Sequence, residues 1–117
     1  MEMKKVLIID DNKSITDMLQ VFLSSQFEVV VENDGLKALS TVREFTPNLI
    51  LLDLMLPGIS GHEIASAIGE DTSLKDTPIV FITGELKSKE ETEIDGHPFI
   101  AKPINFNSLI DTIKSYL

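Results

Sequence analysis

The chain has 117 residues, which is enough for one domain with a single hydrophobic core. Hydrophobic residues make up 43% and charged residues 25%, which is typical of globular proteins, and the absence of cysteine excludes disulfides, thiolate metal sites and thiol nucleophiles. With 10 Lys and Arg residues against 19 Asp and Glu residues, the net charge is −9, which disfavours contact with nucleic-acid phosphates and favours cations or basic protein surfaces.

Apolar runs and helical stripes alternate through the first half of the chain. The runs at residues 6–9, 29–31 and 49–52 are continuous and rich in Val, Ile and Leu, which is typical of parallel strands covered on both faces. The first helix is predicted by an apolar stripe at helical spacing, formed by Ile15, Met18, Leu19, Phe22 and Leu23. The second helix follows the turn sequence Asn33-Asp34-Gly35, and its stripe is Leu36, Leu39 and Val42.

The alternation continues through the second half. A capping box at residues 60–63 starts a third helix, with apolar residues Ile64, Ala65 and Ile68, and residues 79–82 form the fourth strand. A second capping box at 88–91 predicts a short, polar fourth helix with Ile94 as its apolar anchor. A weaker fifth strand at 99–101 follows Pro98, whose missing N–H places this strand at an edge or starting just after the proline. The fifth helix has apolar residues Phe106, Leu109, Ile110, Ile113 and Leu117.

Five strand–helix units predict an α/β fold. With short connections and right-handed crossovers, they form a doubly wound five-stranded parallel sheet of the flavodoxin-like order 2-1-3-4-5, with helices on both faces. Eight units would be needed for a barrel. We expect residues 1–117 to form one domain, with its site at the carboxyl ends of the strands.

The residues that follow the strands would carry the chemistry of that site. The first strand ends in Asp10 and Asp11, the third in Asp53, the fourth in Thr83 and the fifth in Lys102. Three carboxylates brought together would repel each other unless a cation lay among them, and Mg²⁺ suits that set. An aspartate can attack phosphorus to form an acyl phosphate, whose oxygens need neutralising by a metal, a cation and a hydrogen-bond donor.

These residue types therefore predict a phosphoryl-transfer site. Asp53 would be the nucleophile, Asp11 would hold Mg²⁺ directly, and Asp10 would hold it directly or through water. Lys102 and Thr83 would bind two phosphoryl oxygens. Each residue alone has a plainer explanation as a helix cap, a turn residue or a surface residue, so the prediction depends on their convergence at one edge. The two histidines, at positions 62 and 97, are assigned no functional role.

Four motifs also resemble, in order and over essentially the full length, the receiver domains of bacterial two-component response regulators. They are VLIIDD at 6–11, LILLDLMLPGISGHE at 49–63, FITG at 81–84 and FIAKP at 99–103. The resemblance implies that Asp53 accepts its phosphoryl group from the phosphohistidine of a histidine kinase or phosphotransfer protein. It also implies that the backbone carbonyl of Met55 is a further Mg²⁺ ligand.

The resemblance further implies a conformational switch. In the family, phosphorylation draws a hydroxyl like that of Thr83 inward and an aromatic residue on the fifth strand, here Phe99, follows it. The output face, formed by the fourth helix, fifth strand and fifth helix, would change, and a dimer through that face is left open. Two features depart from the family: Phe99 has no hydroxyl, so the switch must act by packing, and the fourth helix is short between Thr83 and Lys102.

Three other functions are alternatives for this sequence. An aspartate-nucleophile phosphatase of the haloacid-dehalogenase kind needs a second aspartate two positions after the first, where this chain has Met55. A flavin or nucleotide module needs a phosphate-binding loop that the sequence does not contain. A receiver fold kept only for protein docking stays open because of the short fourth helix.

The leading interpretation is a signalling domain that phosphorylates and dephosphorylates itself but turns over no external substrate. Its partners would be the kinase or phosphotransfer protein and a downstream protein or an effector domain outside these residues, with no direct contact to nucleic acid or membrane. The apolar run at 6–9 is too short for a signal peptide and no run could span a membrane, so we expect a cytoplasmic protein.

Overall fold

Five parallel strands form one sheet in the order β2-β1-β3-β4-β5, in a computed structural model that describes residues 3–84 and 93–117. The strands are β1 (Lys5–Ile9), β2 (Glu28–Glu32), β3 (Leu49–Asp53), β4 (Ile79–Thr83) and β5 (Phe99–Ala101). Their order confirms the predicted doubly wound topology. The parallel register sets Ile9 opposite both Glu32 and Leu52, so the carboxyl ends of the strands meet at one edge of the sheet.

Helices cover both faces of this sheet. They are α1 (Lys13–Leu23), α2 (Ala38–Phe45), α3 (Gly61–Glu70) and α4 (Phe106–Ser115), and a 3₁₀ turn at Gly35–Lys37 precedes α2. These helices correspond to the predicted first, second, third and fifth, so α4 is the predicted fifth helix. The capping box at 88–91 and the polar helix predicted from it lie outside the described residues.

The predicted anchor of that polar helix, Ile94, is not helical. Ile94 and His97 form an antiparallel bridge, in which each backbone N–H donates to the other residue's carbonyl at 2.8 Å. The two residues between them, Asp95 and Gly96, have φ of 52° and 80°. An Asp-Gly pair with positive φ at both positions favours a tight reversal of the chain, and this local turn displaces the predicted helical continuation.

Side-chain caps fix where three of the helices begin. Asn12 accepts a hydrogen bond from the N–H of Ile15 at 3.1 Å to start α1, and Asn105 starts α4 in the same way. Ser60 accepts from the N–H of Glu63 at 3.2 Å and starts α3, as the capping box predicts. Each such cap is worth about 1 kcal/mol. Because α1 begins directly after its cap, the Asp10-Asp11 pair lies between the end of β1 and the start of α1.

The core has two layers, one on each side of the sheet. One cluster joins α2 and α3 to alternate strand residues such as Leu7 and Ile50. The other joins α1 and α4 to the intervening residues, such as Val6 and Leu51. Since successive strand residues face opposite layers and all four of these are fully buried, the runs are continuous rather than alternating.

Three residues of the predicted apolar stripes are exposed rather than buried. Leu36 lies in the 3₁₀ turn before α2 and is 70% exposed, because α2 begins two residues later than its stripe suggests. Met18 lies at the solvent edge of α1, and Leu117 lies beyond the end of α4. Among the helices described here, none is long and apolar enough to cross a membrane.

Candidate functional site

Three carboxylates meet at the carboxyl edge of the sheet. One oxygen from each of Asp10, Asp11 and Asp53 lies within 4.8 Å of the others. Asp10 is fully buried and Asp53 is 4% exposed, whereas Asp11 is exposed to solvent. Asp10 and Asp53 come together because each follows a member of the register pair Ile9–Leu52 on adjacent strands. Within residues 3–84 and 93–117, this is the one cluster of three acidic or histidine side chains with metal-binding spacing.

Lys102 places an ammonium group against this cluster. Its Nζ lies 3.4 Å from Oδ2 of Asp53 and 3.6 Å from Oδ2 of Asp10. The residue follows β5, and its backbone N–H donates to the carbonyl of Thr83 at 2.8 Å, which extends the pairing of β4 and β5 as far as the site. One positive charge facing three carboxylates leaves the cluster negative.

Asp10 is the most constrained of the three carboxylates. Its Oδ1 accepts from the backbone N–H of Asn12 at 2.9 Å. Its Oδ2 is buried, and in the part of the chain that the structure describes it accepts no hydrogen bond. Burial raises the pKa of Asp10 above its usual value of 3.8, and the neighbouring Asp53 adds to the rise, whereas the amide of Asn12 and the ammonium of Lys102 oppose it.

This donor set fits a hard divalent cation. A buried carboxylate oxygen without a hydrogen bond is costly unless a positive group compensates it. Lys102 compensates it only in part, at 3.6 Å. Carboxylate oxygens are the ligands that Mg²⁺ prefers, and exposed Asp11 leaves room for the waters that Mg²⁺ retains. The cluster could therefore hold such an ion.

Both the side chain and the backbone of Asp53 are closely contacted by neighbouring segments. Its Oδ1 accepts from the N–H of Met55 at 3.1 Å, while the carbonyl of Met55 as a metal ligand stays a prediction. On the other side, a Cβ at Gly61 would lie 2.4 Å from the carbonyl oxygen of Asp53 and 2.8 Å from Cα of Leu54. Only glycine allows α3 to begin this close to the Asp53 backbone, a requirement that the sequence interpretation missed.

The two residues predicted to form the switch lie on neighbouring strands. Thr83 ends β4 and is 1% exposed, and it is opposite Ala101 in β5. Phe99 is partly buried against the layer formed by α2 and α3, opposite Phe81. Since side chains two positions apart share a face of a sheet, Thr83 and Phe99 face the same layer. Their roles in a switch stay predictions.

Two further contacts near the site were not predicted. Asn33 donates from Nδ2 to the backbone carbonyl of Asp10 at 2.8 Å and to Oγ1 of Thr16 at 3.0 Å. The only signal for Asn33 in the sequence is its place in the turn before the second helix. The histidines pack on Phe81, with ring centroids 6.0 Å away for His62 and 5.6 Å away for His97.

An apolar groove opens beside Lys102. It lies between α1 and the segment that links β5 to α4, and it is lined by Ile15, Met18, Leu19, Pro103, Ile104 and Phe106. The groove reaches the carboxylate cluster through Lys102, which lines its end. The edge of the sheet that carries the carboxylates therefore adjoins a surface suited to apolar side chains.

Comparisons with known proteins agree with one another. The family model described as the response regulator receiver domain matches residues 6–114. The polar-differentiation response regulator DivK of Brucella anthropi is 36% identical over 121 residues, which cover 97% of this chain and 96% of DivK.

Solved structures of such domains have the same fold. The chemotaxis protein CheY4 of Vibrio cholerae matches with a TM-score of 0.87 and 29% identity, over 98% of this chain and 99% of CheY4. The signal receiver domain of a DNA-binding response regulator from Colwellia psychrerythraea matches with a TM-score of 0.82 and 26% identity, over 96% of both chains.

Proposed function

We propose that this chain, which belongs to the response regulator receiver domains of two-component signalling, accepts a phosphoryl group on Asp53. The donor is the phosphohistidine of a sensor histidine kinase or phosphotransfer protein. The observation that carries the proposal is the cluster of Asp10, Asp11 and Asp53 with its oxygens within 4.8 Å, facing the ammonium of Lys102. The cluster offers a nucleophile, a cation site and a fixed positive charge within one small volume.

The transfer moves the phosphoryl group from nitrogen to oxygen. A carboxylate oxygen of Asp53 forms the new bond to phosphorus, the bond from phosphorus to the donor imidazole breaks, and its electron pair returns to the ring nitrogen. The N–H of Met55 and the ammonium of Lys102 contact different oxygens of Asp53, which fixes the plane of the carboxylate for attack. In this proposal the domain catalyses its own phosphorylation and dephosphorylation and turns over no external substrate.

Charge on the transferred group needs several partners. Lys102 neutralises one phosphoryl oxygen and the hydroxyl of Thr83 donates to another. Asp10, Asp11, Asp53 and the carbonyl of Met55 would hold Mg²⁺, which when bound supplies the remaining charge neutralisation.

The output follows from the new charge at Asp53. The phosphoryl group carries between one and two negative charges at neutral pH. Because the new bond consumes the single charge of the Asp53 carboxylate, the site gains at most about one negative charge, now spread over oxygens that project further and draw Lys102 and the hydroxyl of Thr83 toward them. Phe99 lies on the strand next to Thr83 and is only partly buried, so its packing can follow. In this proposal the face built on β5 and α4, together with the predicted fourth helix, then changes its affinity for a downstream protein or effector domain.

Partner docking would use the groove beside Lys102. A helix that presents apolar side chains next to its phosphohistidine could bury them against Met18 and Phe106 while the phosphoryl group reaches Asp53. The acidic surface, with a net charge of −9, favours a partner that is basic around its histidine.

Phosphoryl incorporation tests the proposal directly. Wild type and Asp53→Asn are incubated with a small phosphodonor such as acetyl phosphate, with Mg²⁺ or with EDTA, and intact mass is recorded. We expect one phosphoryl group on the wild type, only with Mg²⁺, and none on Asp53→Asn. Asp17→Asn, which removes a charge from the exposed side of α1, is the matched control and should be modified normally. Incorporation into Asp53→Asn would refute the assignment, and none into wild type would favour the docking module.

A further inference from the structure

We propose that Asn33 is a positioning residue for the acidic pair, and that divalent-cation affinity depends on its side-chain amide. Asn33 follows β2 and is not one of the three carboxylates of the cluster. Its single nitrogen, Nδ2, donates to the backbone carbonyl of Asp10 at 2.8 Å and to the hydroxyl oxygen of Thr16 at 3.0 Å. The inference rests on the proposed function, because it assumes that the cluster binds a cation.

The first of these bonds fixes the backbone between the two acids. The carbonyl of Asp10 belongs to the planar peptide group that joins Asp10 to Asp11. A hydrogen bond to that carbonyl therefore fixes the orientation of this peptide plane, which sets the direction of the Asp11 side chain. The N–H of Asp10 also donates to the carbonyl of Glu32, at 3.2 Å. Because β1 ends at Ile9 and α1 begins at Lys13, this peptide group lies between strand and helix. There the side chain of Asn33 supplies the hydrogen bond that a backbone N–H would donate within a strand or helix.

The second bond ties the same amide to α1. The hydroxyl of Thr16 is fully buried, and it donates to the carbonyl of Lys13 at 3.1 Å while it accepts from Asn33. The amide therefore connects the start of α1 to the acidic loop from a third segment of chain. Removing it frees the loop to change the relative positions of the carboxylates of Asp10 and Asp11.

The chemistry of the side chain is specific to an amide. An –NH₂ group can donate to two acceptors from one nitrogen, whereas a carboxylate of the same shape donates to none. The acidic neighbour Glu32 is engaged elsewhere, since it accepts from the hydroxyl of Thr41 at 2.6 Å and from the N–H of Asp34 at 3.1 Å. Asn33 thus reaches the site as a neutral donor between two acidic residues.

This difference separates positioning from simple charge. Asn33→Asp adds a negative charge near the cation site, which by electrostatics alone would tighten Mg²⁺ binding, but it removes both donated hydrogen bonds. Asn33→Ala removes the bonds without adding charge. If Asn33 positions the acidic pair, both variants bind Mg²⁺ more weakly. If charge alone governs the site, Asn33→Asp binds Mg²⁺ more tightly than wild type.

In the experiment the unphosphorylated full chain is titrated with MgCl₂ at pH 7.5, and binding is measured by isothermal titration calorimetry. Circular dichroism checks that each variant is folded. We expect the Mg²⁺ dissociation constant to rise about 10-fold in Asn33→Ala, within the range for residues that orient metal ligands, and to rise in Asn33→Asp as well. Asn48→Ala is the control. Asn48 accepts from the N–H of Lys5 at 2.8 Å, near the amino ends of β1 and β3, so its loss should lower stability and leave the Mg²⁺ affinity unchanged.

Each result decides between the claims. A wild-type affinity in Asn33→Ala, or a tighter one in Asn33→Asp, overturns the positioning role while the proposed function stands. An equal loss of affinity in Asn48→Ala also overturns it, because a general loss of stability would then explain the effect. No Mg²⁺ binding by the wild type would overturn both this inference and the cation site of the proposed function.

Discussion

Replacing Asp10 with Asn should make the metal-free domain more stable. The substitution keeps the shape of the side chain and an oxygen that can accept from the N–H of Asn12, but it removes a fully buried negative charge. The pKa of Asp10 is raised above 3.8 in the folded protein, so between 3.8 and the raised value the folded state binds more protons than the unfolded state. Stability therefore falls as the pH rises through that window.

The magnitude follows from the charges that face Asp10. Two unit charges 4.8 Å apart, the upper limit for the carboxylate pairs, repel by about 3.5 kcal/mol at an effective dielectric constant of about 20. Attraction to the ammonium of Lys102 at 3.6 Å is about 4.6 kcal/mol by the same relation. Two carboxylates against one ammonium leave a net repulsion of about 2 kcal/mol. The exposure of Asp11 screens its share of the repulsion and lowers this figure. Desolvation of the buried charge, the largest cause of the raised pKa of Asp10, increases it, so we expect a gain of about 1 to 3 kcal/mol.

Thermal unfolding in EDTA, measured at pH steps from 7.5 down to 4, tests this prediction. At pH 7.5 the melting temperature of Asp10→Asn should exceed that of wild type by about 4 to 15 °C. The gain should shrink as the pH falls toward 3.8, and added Mg²⁺ should narrow it by stabilising the wild type alone. Asp17→Asn, with the same change in net charge on an exposed helix face, should show little gain. A variant no more stable than wild type at pH 7.5, or a gain independent of pH, would refute the reasoning.

Three other substitutions have defined outcomes. Gly61→Ala sets a methyl group 2.4 Å from the carbonyl oxygen of Asp53, and urea denaturation should show a loss of about 1 to 3 kcal/mol; unchanged stability would contradict the close approach. Lys102→Met removes an ammonium that competes with a cation for the same carboxylates. Calorimetry should therefore show tighter Mg²⁺ binding, while phosphoryl incorporation should slow. Weaker Mg²⁺ binding would argue against that competition. Asn105→Ala removes the cap that accepts from the N–H of Ser108 at 3.1 Å, at a cost of about 1 kcal/mol and with no effect on Mg²⁺ affinity.

The fold was predictable because burial dominates the sequence pattern. Strands covered on both faces produce continuous apolar runs, and their alternation with helical stripes permits few topologies. The errors lie where local geometry competes with that pattern. Leu36 is apolar but lies in a 3₁₀ turn. Ile94 precedes a tight Asp-Gly turn, which could not be predicted from capping residues or from apolar periodicity.

The candidate site could be predicted only for residues whose positions follow directly from the chain topology. Residues that end a strand or directly follow one, such as Asp53 and Lys102, are brought to one edge by the sheet itself. Asn33 and Gly61 lie against backbone atoms of a different segment, 23 positions away in the case of Asn33 and Asp10. Such contacts depend on how two loops approach each other in three dimensions, and neither residue type nor spacing encodes that approach.

Lys102 links the acidic cluster to the edge of the sheet. It follows β5, which has three residues and, within residues 3–84 and 93–117, pairs with β4 alone, yet its ammonium reaches carboxylates at the ends of β1 and β3. A molecule that shifts β5 or α4 and moves Lys102 with it would change the distance of this charge from the carboxylates, and hence their affinity for cations and protons. By thermodynamic reciprocity, a ligand of the carboxylates then alters the affinity of the β5 and α4 surface for that molecule by the same factor. A downstream partner would thus act on the cluster as an effector, as well as reading its state.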